Sequence, residues 1–514
     1  MINPHSDKAA INGYQNKTLQ EQVHDFPLFF IKIEFDHFRH IRNLEVPFNS
    51  PITVISGSNK SGKTSILLSI ACSHYNFFKR NPNTGQFERT RWGDVMKFTN
   101  HDIQTEDWTY FVSYRNGNRT DTKRGQRKMA TKKWNGVAKK ESQIGTPRGG
   151  NNNGRKVYLI DMDRIVPVRN CSQTIYKKAK GHALNPLSTT LREYLSYILE
   201  VNYNVGEIYA EANNKVFGYN TSHRYSSYNS ASGEDTLTRV LDDIIAAENK
   251  SLILIEEIEI GLHPKIQRRL MDIIYHEAKI NQKQFIITSH APSILSSVNP
   301  ESRVFIESNN NGFRAIQGIS INAALTKMDA ESYPLLYIYV EDEISQELTR
   351  KAIEEINKIY NGFSRLVRVI IIGSADQTYQ YYKQCALLFS KEVINAGYAC
   401  ILDGDMRDKR TRDNDLCYPP EELLFFHYSN NAPEKMLLNE YLAAYPNETL
   451  QYHFDYSNPH CLLSKMVEVG VCVSKEDAFD MCFNALKSTG HGQQYLNEMQ
   501  QFIINCCKKF SPDL

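Results

Sequence analysis

Gly57-Ser58-Asn59-Lys60-Ser61-Gly62-Lys63-Thr64 is a complete G-x-x-x-x-G-K-[ST] phosphate-binding loop. Its glycines let backbone N–H groups close around phosphate oxygens, and a following helix adds the positive end of its dipole. Asn59, Lys60, Ser61, Gly62, Lys63, Thr64 and Ser65 are the expected nucleotide contacts. Lys63 reaches the β- and γ-phosphates, and Thr64 holds Mg²⁺. Far downstream, Glu256 and Glu257 end the apolar run Leu252–Ile255. In an ATP-hydrolysing site the first acid orients the Mg²⁺ shell and the second activates water. Glu256 stands where aspartate is usual. His290 closes the next apolar run, from Phe285, and reads as a γ-phosphate sensor. Ser232 and Gly233, in Ser230-Ala231-Ser232-Gly233-Glu234, open a helix and offer a hydroxyl and an N–H to an anion.

A second set of acids lies in the C-terminal third. Glu341 follows the apolar run Leu335–Val340, and Asp403 and Asp405 follow Tyr398–Leu402. Carboxylates gathered at separate strand ends repel one another, and a divalent cation is the usual reason to hold them together. One or two Mg²⁺, with Mn²⁺ as the alternative, held by Glu341, Asp403 and Asp405 suit phosphodiester hydrolysis.

These groups need elements to hold them. Runs at 52–55, 252–257 and 285–290 read as buried strands, the second ending in two acids and the third in histidine, and 65–70 as a helix. In the C-terminal third, strands at 335–340, 367–372 and 398–402 alternate with helices at 344–359 and 378–395. That alternation predicts parallel β-α units with their site at the C-terminal strand edge. A chain of 514 residues exceeds one core. Its composition, 41% hydrophobic and 23% charged, is that of a globular protein. No apolar run approaches a membrane span, the start has no signal-peptide pattern, and the ten cysteines show no C-x-x-C pair. A reduced, cytoplasmic protein without a membrane partner is expected.

Net charge is only +2, but it is unevenly spread. Between 113 and 156, Arg119, Lys123, Arg124, Arg127, Lys128, Lys132, Lys133, Lys139, Lys140, Arg148 and Arg155 face only Asp121 and Glu141. The segment reads as a mobile basic insertion that contacts a DNA backbone.

The phosphate loop, acidic strand, histidine strand and Ser-Gly segment together resemble the ABC-type ATPase head of the SMC and RecF group. That resemblance implies a head-to-head homodimer in which Ser232 and Gly233 complete a partner's nucleotide site. The Glu341 and Asp403-x-Asp405 pattern resembles the Toprim fold. An ABC head followed by Toprim resembles the OLD (overcoming lysogenisation defect) nucleases, including Gabija and retron-associated nucleases of phage defence. The resemblance implies an α/β fold divided into a polar N-terminal arm (1–27), an ABC-type ATPase domain (28–330), a Toprim nuclease domain (331–438) and a helical C-terminal region (439–514). It implies an ATP-binding, Mg²⁺-dependent DNA endonuclease acting as a dimer or higher oligomer. A reverse transcriptase with its RNA–DNA product, or a helicase, is the implied partner. It adds Glu434 as a metal ligand and Lys487 as a lysine near the scissile phosphate. Relatives carry Gly and an acid where this chain has Asp342 and Ser345; Glu343 and Glu347 are the substitutes at hand. A non-nucleolytic ATPase sensor and a RecF-like DNA clamp are the alternatives.

Overall fold

The computed structural model describes residues 2–81, 86–99, 101–102, 104–137, 154–165, 173–181, 185–211, 214–309, 312–329, 333–360, 362–389 and 396–510. They form two compact units, Met1–Ile319 and Ser320–Leu514. The division falls before position 330, and the helices beyond 439 belong to the same unit as the strands before them.

Unit 1 begins with helices α1 (Pro4–Asn12) and α2 (Leu19–Asp25), then strands β1 (Leu28–Phe38), β2 (Ile41–Pro47) and β3 (Ile52–Gly57). Helix α3 (Lys63–Cys72), β4 (Trp108–Asn116), β5 (Arg119–Arg127) and β6 (Val157–Ile160) follow. Next come α4 (Ser232–Ala246), β7 (Leu252–Ile255), α5 (Pro264–Ile280), β8 (Gln284–Thr288), β9 (Arg303–Asn309) and β10 (Gly312–Gln317). The central eight-stranded sheet runs β10-β9-β3-β8-β7-β6 and ends in Phe77–Arg80 and Phe87–Arg89. Its inner strands are parallel and its two edges antiparallel. Strands β3, β7 and β8 are buried at every residue, as the unbroken apolar runs require of strands covered on both faces.

An antiparallel sheet, β2-β1-β4-β5 with Trp134–Asn135, shares one apolar core with the central sheet and α3. Phe30, Phe38, Tyr110 and Tyr114 enter it from the antiparallel sheet, Ile66 and Ile70 from α3, and Leu254 and Ile286 from the central sheet. One side chain fastens the sheets: Gln284 accepts from the Phe30 N–H and donates to the Phe30 carbonyl, both at 2.9 Å.

Three expectations are corrected here. Residues 1–27 are not a loose arm. Asp7, 2% exposed, is gripped by Lys279 and His276 of α5, each at 2.9 Å, and Ile11 and Tyr14 are buried beside it. The basic stretch is not a mobile insertion through 119–127, which pairs along its whole length with β4; alternation of Thr and long side chains suits a half-exposed strand. Arg155 is no DNA contact. It is buried, and its guanidinium donates to Gln284 Oε1, Lys250 O and Ser251 O. Lys139, Lys140 and Arg148 lie outside the described residues.

Unit 2 contains β11 (Leu336–Val340), α6 (Glu343–Ile359), β12 (Val367–Ile371), α7 (Ala375–Phe389), β13 (Gly397–Leu402) and β14 (Leu424–Phe426). Its parallel sheet has the order β12-β11-β13-β14, as the β-α alternation predicts. Helices α8 (Pro433–Ala444), α9 (Lys475–Ser488) and α10 (Gly490–Phe510) close the unit. Phe510 lies against Gly397 so closely that any Cβ there would meet its ring at 2.2 Å.

Candidate functional site

In unit 1 the nucleotide motifs gather at the C-terminal ends of β3, β7 and β8. Gly57 (φ 150°) leaves β3 where a Cβ would lie 2.5 Å from the Ile306 carbonyl, and Gly62 (φ 95°) caps α3 against Ile41. Both turns therefore need glycine. Lys63 is buried and folds back on its own loop, donating to the Gly57 and Ser58 carbonyls at 2.9 and 3.1 Å. Burial lowers its pKa, opposed by the charges of Glu257, Glu259 and Glu256. Ser61 Oγ is buried with no partner among the described residues, while Asn59 and Lys60 are exposed. Ser65 accepts from Arg39 at 3.4 Å.

Thr64 Oγ1 donates to Glu256 Oε1 at 2.5 Å, so the two expected metal-side groups meet. Burial, with Asp161 and Glu257 nearby, raises the Glu256 pKa. Glu257 has a left-handed backbone (φ 47°), fixed by its N–H donating to Thr288 Oγ1 at 2.9 Å and its carbonyl accepting from Arg164 at 2.6 Å. Its carboxylate is 3.3 Å from His290 Nε2. Burial opposes its ionisation, yet His290 and Lys63 hold its pKa below the usual value. The carboxylate of Glu257 is thus favoured in its charged form, on a backbone whose strain is held by neighbours. Glu259 accepts the His290 N–H at 2.5 Å. Ser232 is exposed at the start of α4, and a Cβ on Gly233 would lie 2.5 Å from the Gly261 carbonyl. Sequence motifs missed Thr288, Arg164 and the β1–β2 turn, where Arg39 and His40 lean on the loop; His40 Nε2 lies 3.0 Å from the Lys60 carbonyl. None of these belongs to a spaced pattern.

In unit 2, β11 delivers Glu341 and β13 delivers Asp403. The Asp403 N–H donates to Glu341 Oε1 at 2.7 Å. Asp403 is 4% exposed. Burial, with Asp405 and Asp342 nearby, pushes Glu341 up to about 7; burial, with Glu341, Asp342 and Asp405 nearby, pushes Asp403 up to about 9. Asp405 is exposed. Gly404 allows the turn between the two aspartates to pass the Ser429 carbonyl, which a Cβ would meet at 2.1 Å.

Ser345, where the Toprim resemblance would put an acid, donates to Asp403 Oδ1 at 2.8 Å. Its oxygen then accepts from His427 Nε2–H at 2.8 Å, and His427 Nδ1 accepts from the Tyr495 hydroxyl at 2.6 Å. Burial pushes His427 down to about 3, so the ring is neutral. The acidic edge opens on a cleft of about 1110 Å³, lined by Glu341, Asp403, Glu434, Lys409 and Lys475 among others.

Lys487 is not in this cleft. Its ammonium pairs with Glu355 at 2.7 Å, about 18 Å along α6 from the Glu343 end. Lys487 lies in the last turn of α9, and Gly490 begins α10. Lys351, Lys409 and Lys475 are the lysines that line the cleft.

Residues 219–296 match the family described as "AAA domain, putative AbiEii toxin, Type IV TA system". The matched span runs through α4, Glu256 and Glu257, α5 and His290. None of the curated proteins compared matches the chain. Among solved structures, the SMC head domain from Thermotoga maritima is 13% identical, over 56% of this chain and 98% of its own, with a TM-score of 0.35. The Smc head domain with an extended coiled coil, bound to the C-terminal domain of ScpA, from Pyrococcus furiosus is 10% identical, over 56% and 96%, with a TM-score of 0.37. The recombination mediator RecF is 11% identical, over 56% and 98%, with a TM-score of 0.33. The parallel central sheet, with the phosphate loop, the acidic strand and the histidine strand meeting at its strand ends, gives unit 1 an α/β organisation. Among the described residues no helix is long and apolar enough to cross a membrane.

Proposed function

We propose that unit 1 binds and hydrolyses ATP and that unit 2 is a Toprim-type, divalent-cation-dependent DNA nuclease of the OLD kind. The observation that carries the nuclease reading is the pairing of two buried carboxylates, Glu341 and Asp403, across adjacent parallel strand ends in an open cleft. Both pKa values are raised, so the pair accepts either protons or a cation. An all-oxygen donor set suits Mg²⁺ or Mn²⁺, with Glu341 and Asp403 as holders and Asp405 at the rim. Such an ion supplies charge stabilisation and an activated water. In unit 1, Thr64 and Glu256 offer the oxygens for Mg²⁺. Glu257 accepts the proton of the attacking water, and His290 orients Glu257 while facing the γ-phosphate. The exposed Ser232 at the start of α4 supports trans-completion of a second head in a homodimer. Exposed Lys132 and Lys133 support DNA contact. Phage defence in the cytoplasm, with a reverse transcriptase carrying its RNA–DNA product or a helicase as partner, follows from the OLD resemblance alone. A non-nucleolytic ATPase sensor is the second reading, favoured by the engagement of Lys487 with Glu355.

Plasmid incubated with the full chain, Mg²⁺ or Mn²⁺ and ATP tests both halves. Glu257→Gln is expected to lower phosphate release about 100-fold or more while leaving ATP binding intact. Asp403→Asn is expected to abolish cutting without touching ATP hydrolysis. Cutting by Asp403→Asn at the wild-type rate removes the nuclease reading and leaves the sensor.

A further inference from the structure

The cleft of unit 2 has a second group of donors beside the Glu341–Asp403 pair. Asp342 caps α6, Glu434 lies in the first turn of α8, and His460 sits in the short turn Pro459–Cys461. One ligand atom from each lies within 4.8 Å of the others. Glu434 is the telling member. It is 3% exposed, its Oε1 is 3.0 Å from His460 Nδ1, and its Oε2 has no hydrogen-bond partner among the described residues. A buried carboxylate oxygen left without a donor is costly, and Glu434 lines the cleft wall where a cation can reach it.

We propose that Asp342, Glu434 and His460 form a mixed carboxylate–imidazole site for a first-row divalent transition ion, separate from the Glu341–Asp403 pair. Asp342 keeps one oxygen on the Ser345 N–H at 2.9 Å and has the other free for an ion. Bonds of ~2.1 Å to a central ion place its ligands roughly 3 to 4.2 Å apart, so small side-chain rotations complete the set. An imidazole nitrogen distinguishes this site from an all-oxygen one. Carboxylate alone suits Mg²⁺, whereas imidazole shifts preference toward Mn²⁺ and the later metals. The His460 side chain is 62% exposed, which leaves room for water on the remaining positions. The inference does not require that unit 2 cut DNA.

Mn²⁺ is the probe, added to metal-stripped full-length protein without nucleotide. Calorimetry counts the sites, and electron spin-echo modulation detects an imidazole nitrogen on the ion. The wild type is expected to bind with nitrogen modulation. His460→Ala, at an exposed position that tolerates truncation, is expected to lose the modulation and at least ~10-fold in affinity at one site. Asp403→Asn is expected to keep both. No Mn²⁺ binding by the wild type, an unchanged His460→Ala, or loss of the modulation in Asp403→Asn as well each overturns a separate site. None of these readouts depends on cleavage, so a failed plasmid assay and a failed metal assay remain distinct results.

Discussion

Replacing Asp403 by Asn probes the buried carboxylate pair through stability. The Asp403 pKa is pushed up to about 9 by burial and by Glu341 and Asp342. In the unfolded chain it is ~3.9. Between those values the folded protein holds a proton that the unfolded chain has released. Stability is therefore full below about pH 4 and falls as pH rises toward 9, by about 1.4 kcal/mol for each unit. From pH 5 to pH 7 the loss for one retained proton is roughly 3 kcal/mol. Glu341, raised to about 7, steepens the lower part of the slope. Asn keeps the size and the acceptor for Ser345 but has no proton to lose. In EDTA, the advantage of Asp403→Asn over wild type is expected to grow by about 1.4 kcal/mol per pH unit between pH 5 and pH 8. Saturating Mn²⁺ is expected to erase that growth by displacing the retained proton from the Glu341–Asp403 pair of the wild type. Urea-dependent hydrogen exchange in peptides covering β11 and β13 scores unit 2 without interference from unit 1. The difference between variants at each pH cancels the intrinsic exchange rate. Parallel pH profiles for the two proteins in EDTA would refute the claim that these acids are held protonated in the metal-free fold.

Two further outcomes are expected. Charge reversal at Lys132 and Lys133 should weaken DNA binding and flatten the dependence of log K on log salt by roughly one unit per lost phosphate contact; fluorescence anisotropy across a salt series measures it, and an unchanged slope removes these lysines from the interface. Gly404→Ala should destabilise unit 2 by about 1–3 kcal/mol, because its Cβ would run into the Ser429 carbonyl, which is backbone and cannot rotate aside; an unchanged urea midpoint for β13 exchange contradicts this.

The strands were legible because they are continuous apolar runs. The starts and ends of β3, β7, β8, β11 and β13 were read to within two residues. The strand-end acids were legible for the same reason, since a polar residue ending such a run must sit at the sheet edge. Partners contributed from distant loops were not. Thr288 under Glu257, and His427 with Tyr495 behind Ser345, have no periodic or spaced pattern to announce them. Ser345 shows the limit most clearly. By sequence it is a missing acid; in the fold it is a bridge between Asp403 and a buried imidazole. Charge density misled at Arg155, because a basic residue in a basic stretch says nothing about whether three carbonyl-type acceptors await it inside. The N-terminal helices were missed because Asp7 and Tyr14 dock through polar and aromatic contacts rather than an apolar stripe.

The double hydrogen bond between Gln284 and Phe30, reinforced by Arg155, has a mechanical consequence. Gln284 begins the same short strand whose far end presents Thr288 to Glu257 and leads into His290. These bonds tie the root of that strand to β1, so a shift at its Thr288 end would be felt in the antiparallel layer as well as in the central sheet.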